Sequence, residues 1–166
     1  NMGCPAKKVT GGLSGSALMR DEDLAARMVE AAAAAVSVPV TVKMRLGWDA
    51  LTAPSLARRA VAAGARALTV HGRTRTQFYT GTADWTAVRA VVEAVEVPVI
   101  VNGDVTDAAT ARAALAASGA AAVMIGRAMR GAPWRAARIA AALDGRPMPP
   151  EPQGAALAEA VAEHYE

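Results

Sequence analysis

At 166 residues, 53% of them hydrophobic, the chain is long enough to bury a sizeable core and is close to the usual size of a single domain. No apolar run reaches the ~18 residues of a membrane span, no basic-apolar-small order marks a signal peptide, and the one cysteine allows no internal disulfide; a cytoplasmic, reducing compartment is expected. A net charge of +3, with arginines spread over loops and helix faces, permits an anionic partner without requiring one.

The chain opens NMGCP, which sets Cys4 between a flexible and a rigid residue, a placement a disordered leader has no use for. Gly11-Gly12-Leu13-Ser14-Gly15 lacks the preceding strand and the spacing of a dinucleotide fingerprint, and is expected to be a mobile loop. Asp21 to Val36, rich in Ala and Leu with acids in its first turn, predicts a helix. Four β-rich runs follow, at 38–44 (VPVTVKM), 66–70 (RALTV), 97–101 (VPVIV) and 121–125 (AAVMI). Helices are expected between them. Thr52-Ala53-Pro54 offers a capping hydroxyl and an early proline, Asp84 and Thr106 are candidate caps for two more, and residues 133–143 form another. Strands alternating with helices of this length indicate βα units and a parallel sheet.

The chain also repeats itself. VSVPVTVKMR (36–45) parallels VEVPVIVNGD (95–104), and AAGARALTVHGR (62–73) parallels AASGAAAVMIGR (116–127). Each copy is a quarter of an eight-stranded βα barrel, so the fold class is α/β, a partial (β/α)8 barrel, with four strands too few to close one. The two-residue strand period puts Thr41, Lys43 and Arg45 on one side, as it does Thr69, His71 and Arg73, and Ile100, Asn102 and Asp104. The fourth strand ends in Gly126-Arg127. In a βα barrel the carboxyl ends of the strands carry the chemistry, so a cation pair, an imidazole, an amide and acid, and a Gly-Arg corner are expected at one mouth.

The stretches NMGCPAKKV, Gly15 to Met19, VKMRLGWD (42–49), VHGRTRTQFYTGTADW (70–85), VNGDV (101–105) and MIGRAMRGAPW (124–134) resemble the flavin-dependent tRNA-dihydrouridine synthases, most closely their bacterial B-type branch. The resemblance implies an FMN-holding barrel followed by a small helical domain that grips tRNA. It places NMGCP after the fourth barrel strand, residues 1–145 in the last four βα units, and residues 146–166 in a linker and the first helix of the helical domain. Cys4 is implied as the acid that protonates uracil C5 while reduced FMN delivers hydride to C6. A thiol suits this role because it is largely protonated at neutral pH yet acidic enough to donate. Asn1 and Arg45 are implied to contact the uridine. Lys43 is implied at the flavin edge, His71 as a flavin-contacting imidazole, and Asn102, Gly103, Asp104, Gly126 and Arg127 around the FMN phosphate, in loops where glycines admit backbone N–H groups. NADPH is the implied reductant, tRNA the partner, and no metal is expected.

Trp48, Phe78 and Tyr79 are candidate base-stacking surfaces, with Trp85 expected to pack at a helix start. Lys7, Lys8, Arg75, Arg130, Arg135 and Arg138 are candidates to meet RNA phosphates. Two other readings remain open at this point. One is a non-catalytic half-barrel that binds phosphate or self-associates through its unpaired sheet edges. The other is an FMN barrel acting on a small pyrimidine.

Overall fold

The computed structural model describes residues 1–165; Glu166, the last residue of the expected 146–166 segment, lies outside the described residues. Four strands, β1 (Thr41–Arg45), β2 (Ala67–His71), β3 (Val99–Asn102) and β4 (Ala122–Met124), form one sheet in sequence order. All three pairings are parallel. The helices are α1 (Lys7–Thr10), α2 (Glu22–Ala35), α3 (Ala53–Ala62), α4 (Trp85–Val92), α5 (Ala108–Ser118), α6 (Arg135–Leu143) and α7 (Gly154–Tyr165), with 3-10 turns at Gly15–Arg20 and Arg127–Met129. One helix between each pair of strands is the arrangement expected of a partial βα barrel.

One face of the sheet is packed. Met44, Leu68, Val70 and Val101 are fully buried in one cluster with Leu56 and Ala60 of α3, Val88 and Val91 of α4, and Ala111 and Ala114 of α5. Burial of each larger aliphatic side chain is worth about 1.5–3 kcal/mol. The other face carries Lys43, Thr69, Ile100 and Ala122 in one register row and Arg45, His71, Asn102 and Met124 in the next. At its β4 side this face is open, with Met124 and Ala122 exposed.

Three of the four strands are shorter than the apolar runs that announced them, and β2 keeps its length one residue further on. The first begins at Thr41, past the 38–40 Val-Pro-Val, because Pro39 has no N–H to give to a ladder. The fourth spans three residues rather than five. Two capping expectations are corrected. Thr52 does precede α3, but its hydroxyl makes no capping bond and is buried without a partner. At α5 the cap is Asp107, not Thr106: its carboxylate accepts from Thr110 N at 2.7 Å, and Thr110 Oγ1 accepts in return from Asp107 N at 3.0 Å. Asp84 caps α4 as expected, accepting from Ala87 N at 2.9 Å.

Candidate functional site

The opening segment is fastened along β1. Met2 N donates to Lys43 O at 2.8 Å, and Met2 bridges Met44 as a short extra parallel pairing. Asn1 folds back, its side-chain oxygen accepting from Gly3 N at 3.0 Å. Cys4 is held through its carbonyl, which accepts from both Ser16 N (3.0 Å) and Ser16 Oγ (2.9 Å). Gly15 makes this approach possible: its φ is +55°, and a Cβ there would lie 2.8 Å from the Cys4 carbonyl oxygen. The end of the expected mobile loop is therefore a fixed contact.

Arg45 is 2% exposed. Its Nε donates to Gly3 O at 3.0 Å, and its Nη1 donates to Thr74 O at 2.8 Å and Phe78 O at 2.7 Å, so one guanidinium ties the Cys4 turn to the loop after β2. Burial lowers the Arg45 pKa, partly offset by Tyr79, which lies under the guanidinium. Lys43 Nζ donates to Asn102 Oδ1 at 2.9 Å, and Asn102 Nδ2 donates to Met124 O at 2.9 Å. Desolvation pushes the Lys43 pKa down and the charge of Arg45 adds to the effect.

His71 lies level with Arg45 and Asn102 in the sheet register. Desolvation first, and then the charges of Arg45, Lys43 and Arg73, lower its pKa from 6.5 to about 3, so the ring is neutral at pH 7. Its Nδ1 is buried without a hydrogen-bond partner. In the linkage the unfolded chain binds this proton below pH 6.5 and the folded chain does not until about pH 3. Stability is thus complete above pH 6.5 and falls as the pH drops, by at most about 1.4 kcal/mol per unit. Denaturant unfolding from pH 7 to 4 should show this slope in the wild type and a shallower one in His71→Gln; parallel profiles would remove His71 as its source.

The duplication brings two equivalent arginines to one carboxylate. Arg73 and Arg127, the closing residues of the two copies of the second repeated stretch, both donate to Asp104. Arg73 is 1% exposed, bonded to both Asp104 oxygens (3.1 and 2.6 Å) and to the carbonyls of Thr80 and Gly81. Partial desolvation raises the Asp104 pKa, but hydrogen bonds from Arg73 and Ala83 N and the charges of Arg73 and Arg127 outweigh it and hold the carboxyl below its usual range. Asp104 itself has a left-handed backbone, φ +56°. Gly103 has φ +113°, and a Cβ there would sit 2.8 Å from Ala83 Cβ and 3.3 Å from His71 Nε2.

All of the expected site residues, Asn1, Cys4, Lys43, Arg45, His71, Asn102, Gly103, Asp104, Gly126 and Arg127, line one open cavity of about 900 Å³, which also takes in Tyr79. Tyr79 was expected only as a stacking surface. Its ring lies between Arg45 (5.4 Å) and Arg127 (5.3 Å) and meets Phe78 edge to face. The sequence places Arg73 on the His71 side of its strand and Trp85 at a helix start, but gives neither a role around the cavity; both brace it. Trp85 Nε1 donates to Gly103 O at 2.8 Å, bracing the loop after β3 as well as packing at its helix start. Trp48 has guanidinium groups on its ring, from Arg20 at 5.0 Å and Arg75 at 4.6 Å, so as placed it is not a free base-stacking surface. Arg135 and Arg138 are engaged within the protein, Arg135 by Ala128 O and Arg138 by Pro149 O and Glu151. Among the described residues no helix is long and apolar enough to cross a membrane, and no group of three or more His, Cys, Asp or Glu is placed to hold a metal.

Comparison with known proteins adds a separate finding. Residues 1–166 match a family model described as dihydrouridine synthase (Dus). The probable tRNA-dihydrouridine synthase of Rhodobacter capsulatus is 62% identical over 168 residues, covering 100% of this chain and 52% of that protein. The protein of the same name from Rhizobium leguminosarum bv. phaseoli is 55% identical, with 99% and 50% covered. The tRNA-dihydrouridine synthase B of Xanthomonas campestris pv. campestris is 47% identical, with 100% and 51% covered. The chain spans about half the length of the curated relatives it matches.

Proposed function

Because the chain belongs to the dihydrouridine synthase family, we propose that the whole protein, of the length its relatives have, reduces uridine to 5,6-dihydrouridine in tRNA, using FMN as carrier and NADPH as reductant. The observation that carries the reading is the convergence of Cys4, Lys43, Arg45, His71, Asn102–Asp104 and Gly126-Arg127 on one cavity.

The residues present fit a flavin: His71 Nδ1 is a buried polar atom at the cavity with no protein partner, and beside the half-exposed Arg127 guanidinium the backbone at Gly126 is open, with nothing within 4 Å of a Cβ there. Lys43 and His71 would hold the ring system, with Asn102 orienting Lys43, and Gly103, Gly126 and Arg127 would hold the phosphate end, the Asp104 carboxylate orienting Arg127 without touching the phosphate. Bound there, reduced FMN would supply the hydride needed at uracil C6. The rest falls to the chain's own residues. Cys4 Sγ–H gives its proton to C5 as carbanion character develops there, leaving a thiolate that solvent reprotonates. Asn1 can donate and accept at once on the uracil edge, and Arg45 contacts the uridine while holding the Cys4 turn. The Lys43 ammonium, oriented by Asn102, stabilises negative charge at the flavin edge.

Residues 1–145 form the second half of the FMN barrel in this reading, and residues 146–166 the linker and first helix of a tRNA-binding helical domain, in a cytoplasmic protein. Incubating the whole protein with NADPH and either unmodified tRNA or free uridine tests it. The expected result is a two-hydrogen mass gain at a uridine of the tRNA and none in free uridine. Reduction of free uridine alone would favour the small-pyrimidine reading, and reduction of neither would overturn the proposal.

For residues 1–166 taken alone, one observation favours a second reading, a non-catalytic piece that self-associates. An apolar groove of about 610 Å³ runs along the β4 edge between Ile100, Met124 and α6. An open edge with an apolar groove invites another strand.

A further inference from the structure

The loops beside the cavity carry a group of cations that the proposed chemistry does not use. Trp48 follows β1, Arg20 ends the 3-10 turn that holds Cys4, and Arg75 lies in the loop after β2. Arg20 and Arg75 both stack on the Trp48 indole, at 5.0 and 4.6 Å from its centroid. The backbone locks this arrangement, since Arg75 N donates to Gly47 O and Thr76 N to Trp48 O, each at 2.9 Å. Arg75 Nη2 also donates to Thr10 Oγ1 at 3.3 Å, which joins the stack to α1, where Lys7 and Lys8 are exposed.

Two like charges on one ring repel each other, and a fold that needed them only for packing would be expected to set acids beside them. It does not. Among the described residues none of Lys7, Lys8, Arg20 and Arg75 forms an ion pair. The neighbouring Asp21 is turned into the start of α2, accepting from Leu24 N at 2.9 Å. Asp49, in the Trp48 loop, is exposed and pairs with none of them. Stacking against the indole restricts guanidinium forks that would otherwise be flexible, so less is lost when they engage phosphate.

We propose that the Arg20–Trp48–Arg75 stack, with Lys7 and Lys8, is a docking surface for the phosphate backbone of the RNA strand that enters the cavity on the Cys4 side. The assignment rests on the tRNA reading above and adds to it a surface and a mode: charge contacts held by an aromatic spacer, without base stacking on Trp48. Such contacts position a strand and carry no sequence information.

The test is equilibrium binding of an unmodified tRNA transcript to the whole protein over a salt series, with Arg20→Gln, Arg75→Gln and the double variant. Each lost phosphate contact flattens the plot of log K against log salt by about 0.7–0.9. The double variant should therefore lose about 1.5 units of slope, bind roughly ten-fold more weakly at ~0.15 M salt, and do so equally for tRNAs of different sequence. Arg20→Lys should keep the slope. Flavin content and thermal unfolding report whether the variants fold; if Arg75→Gln lowers either, the exposed Arg20→Gln carries the comparison alone. A double variant with wild-type affinity and slope overturns the docking surface even where the wild type reduces tRNA. A wild type that neither binds nor reduces the transcript overturns the tRNA reading as well.

Discussion

Replacing Cys4 with alanine in the whole protein is expected to slow dihydrouridine formation by about 10²–10⁴-fold, the usual worth of a positioned general acid, while flavin content stays at the wild-type level. The structure explains why position matters as much as the thiol. The Cys4 carbonyl is pinned by two donors from Ser16, and the residues before it are fixed as well, Met2 N donating to Lys43 O and Gly3 O accepting from Arg45 Nε at 3.0 Å. A thiol on so fixed a turn can face one side of a planar ring while the cofactor occupies the other. Single-turnover oxidation of pre-reduced enzyme by unmodified tRNA reads the step directly. Serine in place of Cys4 should recover little, because a hydroxyl is a far weaker acid than a thiol. Undiminished turnover in Cys4→Ala would remove Cys4 from the acid role.

The second large effect is on stability. Asp104→Asn is expected to cost about 2–3 kcal/mol, less than the ~3–5 kcal/mol for a fully buried pair because the Asp104 side chain is 27% exposed and Arg73 keeps Thr80 O and Gly81 O. Arg73, at 1% exposure, cannot recover its lost partner from water, and an asparagine amide would turn a donor toward a guanidinium that is all donors. Arg127, already 54% exposed on its side chain, loses less. The ion pair also gives a pH signature. The folded pKa of Asp104 lies below the ordinary carboxylate value of 3.8, so the contribution is present above that value and is lost as the pH falls through the lower, folded pKa. Denaturant unfolding at pH 7 measures the cost. A loss under 1 kcal/mol would show that Thr80 O, Gly81 O and solvent suffice for Arg73.

The βα plan was legible because the Val-rich runs, the helix starts and the internal duplication are local patterns. What failed was also local but finer. The hydroxyl of Thr52 looked like a cap and is buried without a partner, and the Thr106-Asp107 pair offered two caps, of which the second is also answered by Thr110. The residues sharing one side of each strand were readable from the two-residue period, and those at the strand ends do face one cavity. Their roles there came from the family resemblance. What could not be read were partnerships across long stretches of chain: Arg73 with Asp104 31 positions later, or Arg20 and Arg75 meeting on Trp48. Nothing in the sequence near Arg73 distinguishes a buried, paired arginine from a solvated one. The difference lies in the register of β2 against β3, which only the folded sheet supplies.

Among the described residues, and apart from the Met2–Met44 bridge, every strand pairs only with a strand next to it in sequence. Each docking step therefore closes a loop holding one helix, and the entropy lost in closing a loop rises slowly with its length. No pairing from β1 through β4 has to wait for a distant segment. The sheet can grow in the order the chain is synthesised, each βα unit adding to an edge already laid down, which keeps contact order low for a parallel architecture. Within this sheet the three-residue, half-exposed β4 has the fewest ladder bonds and is the strand expected to fray first.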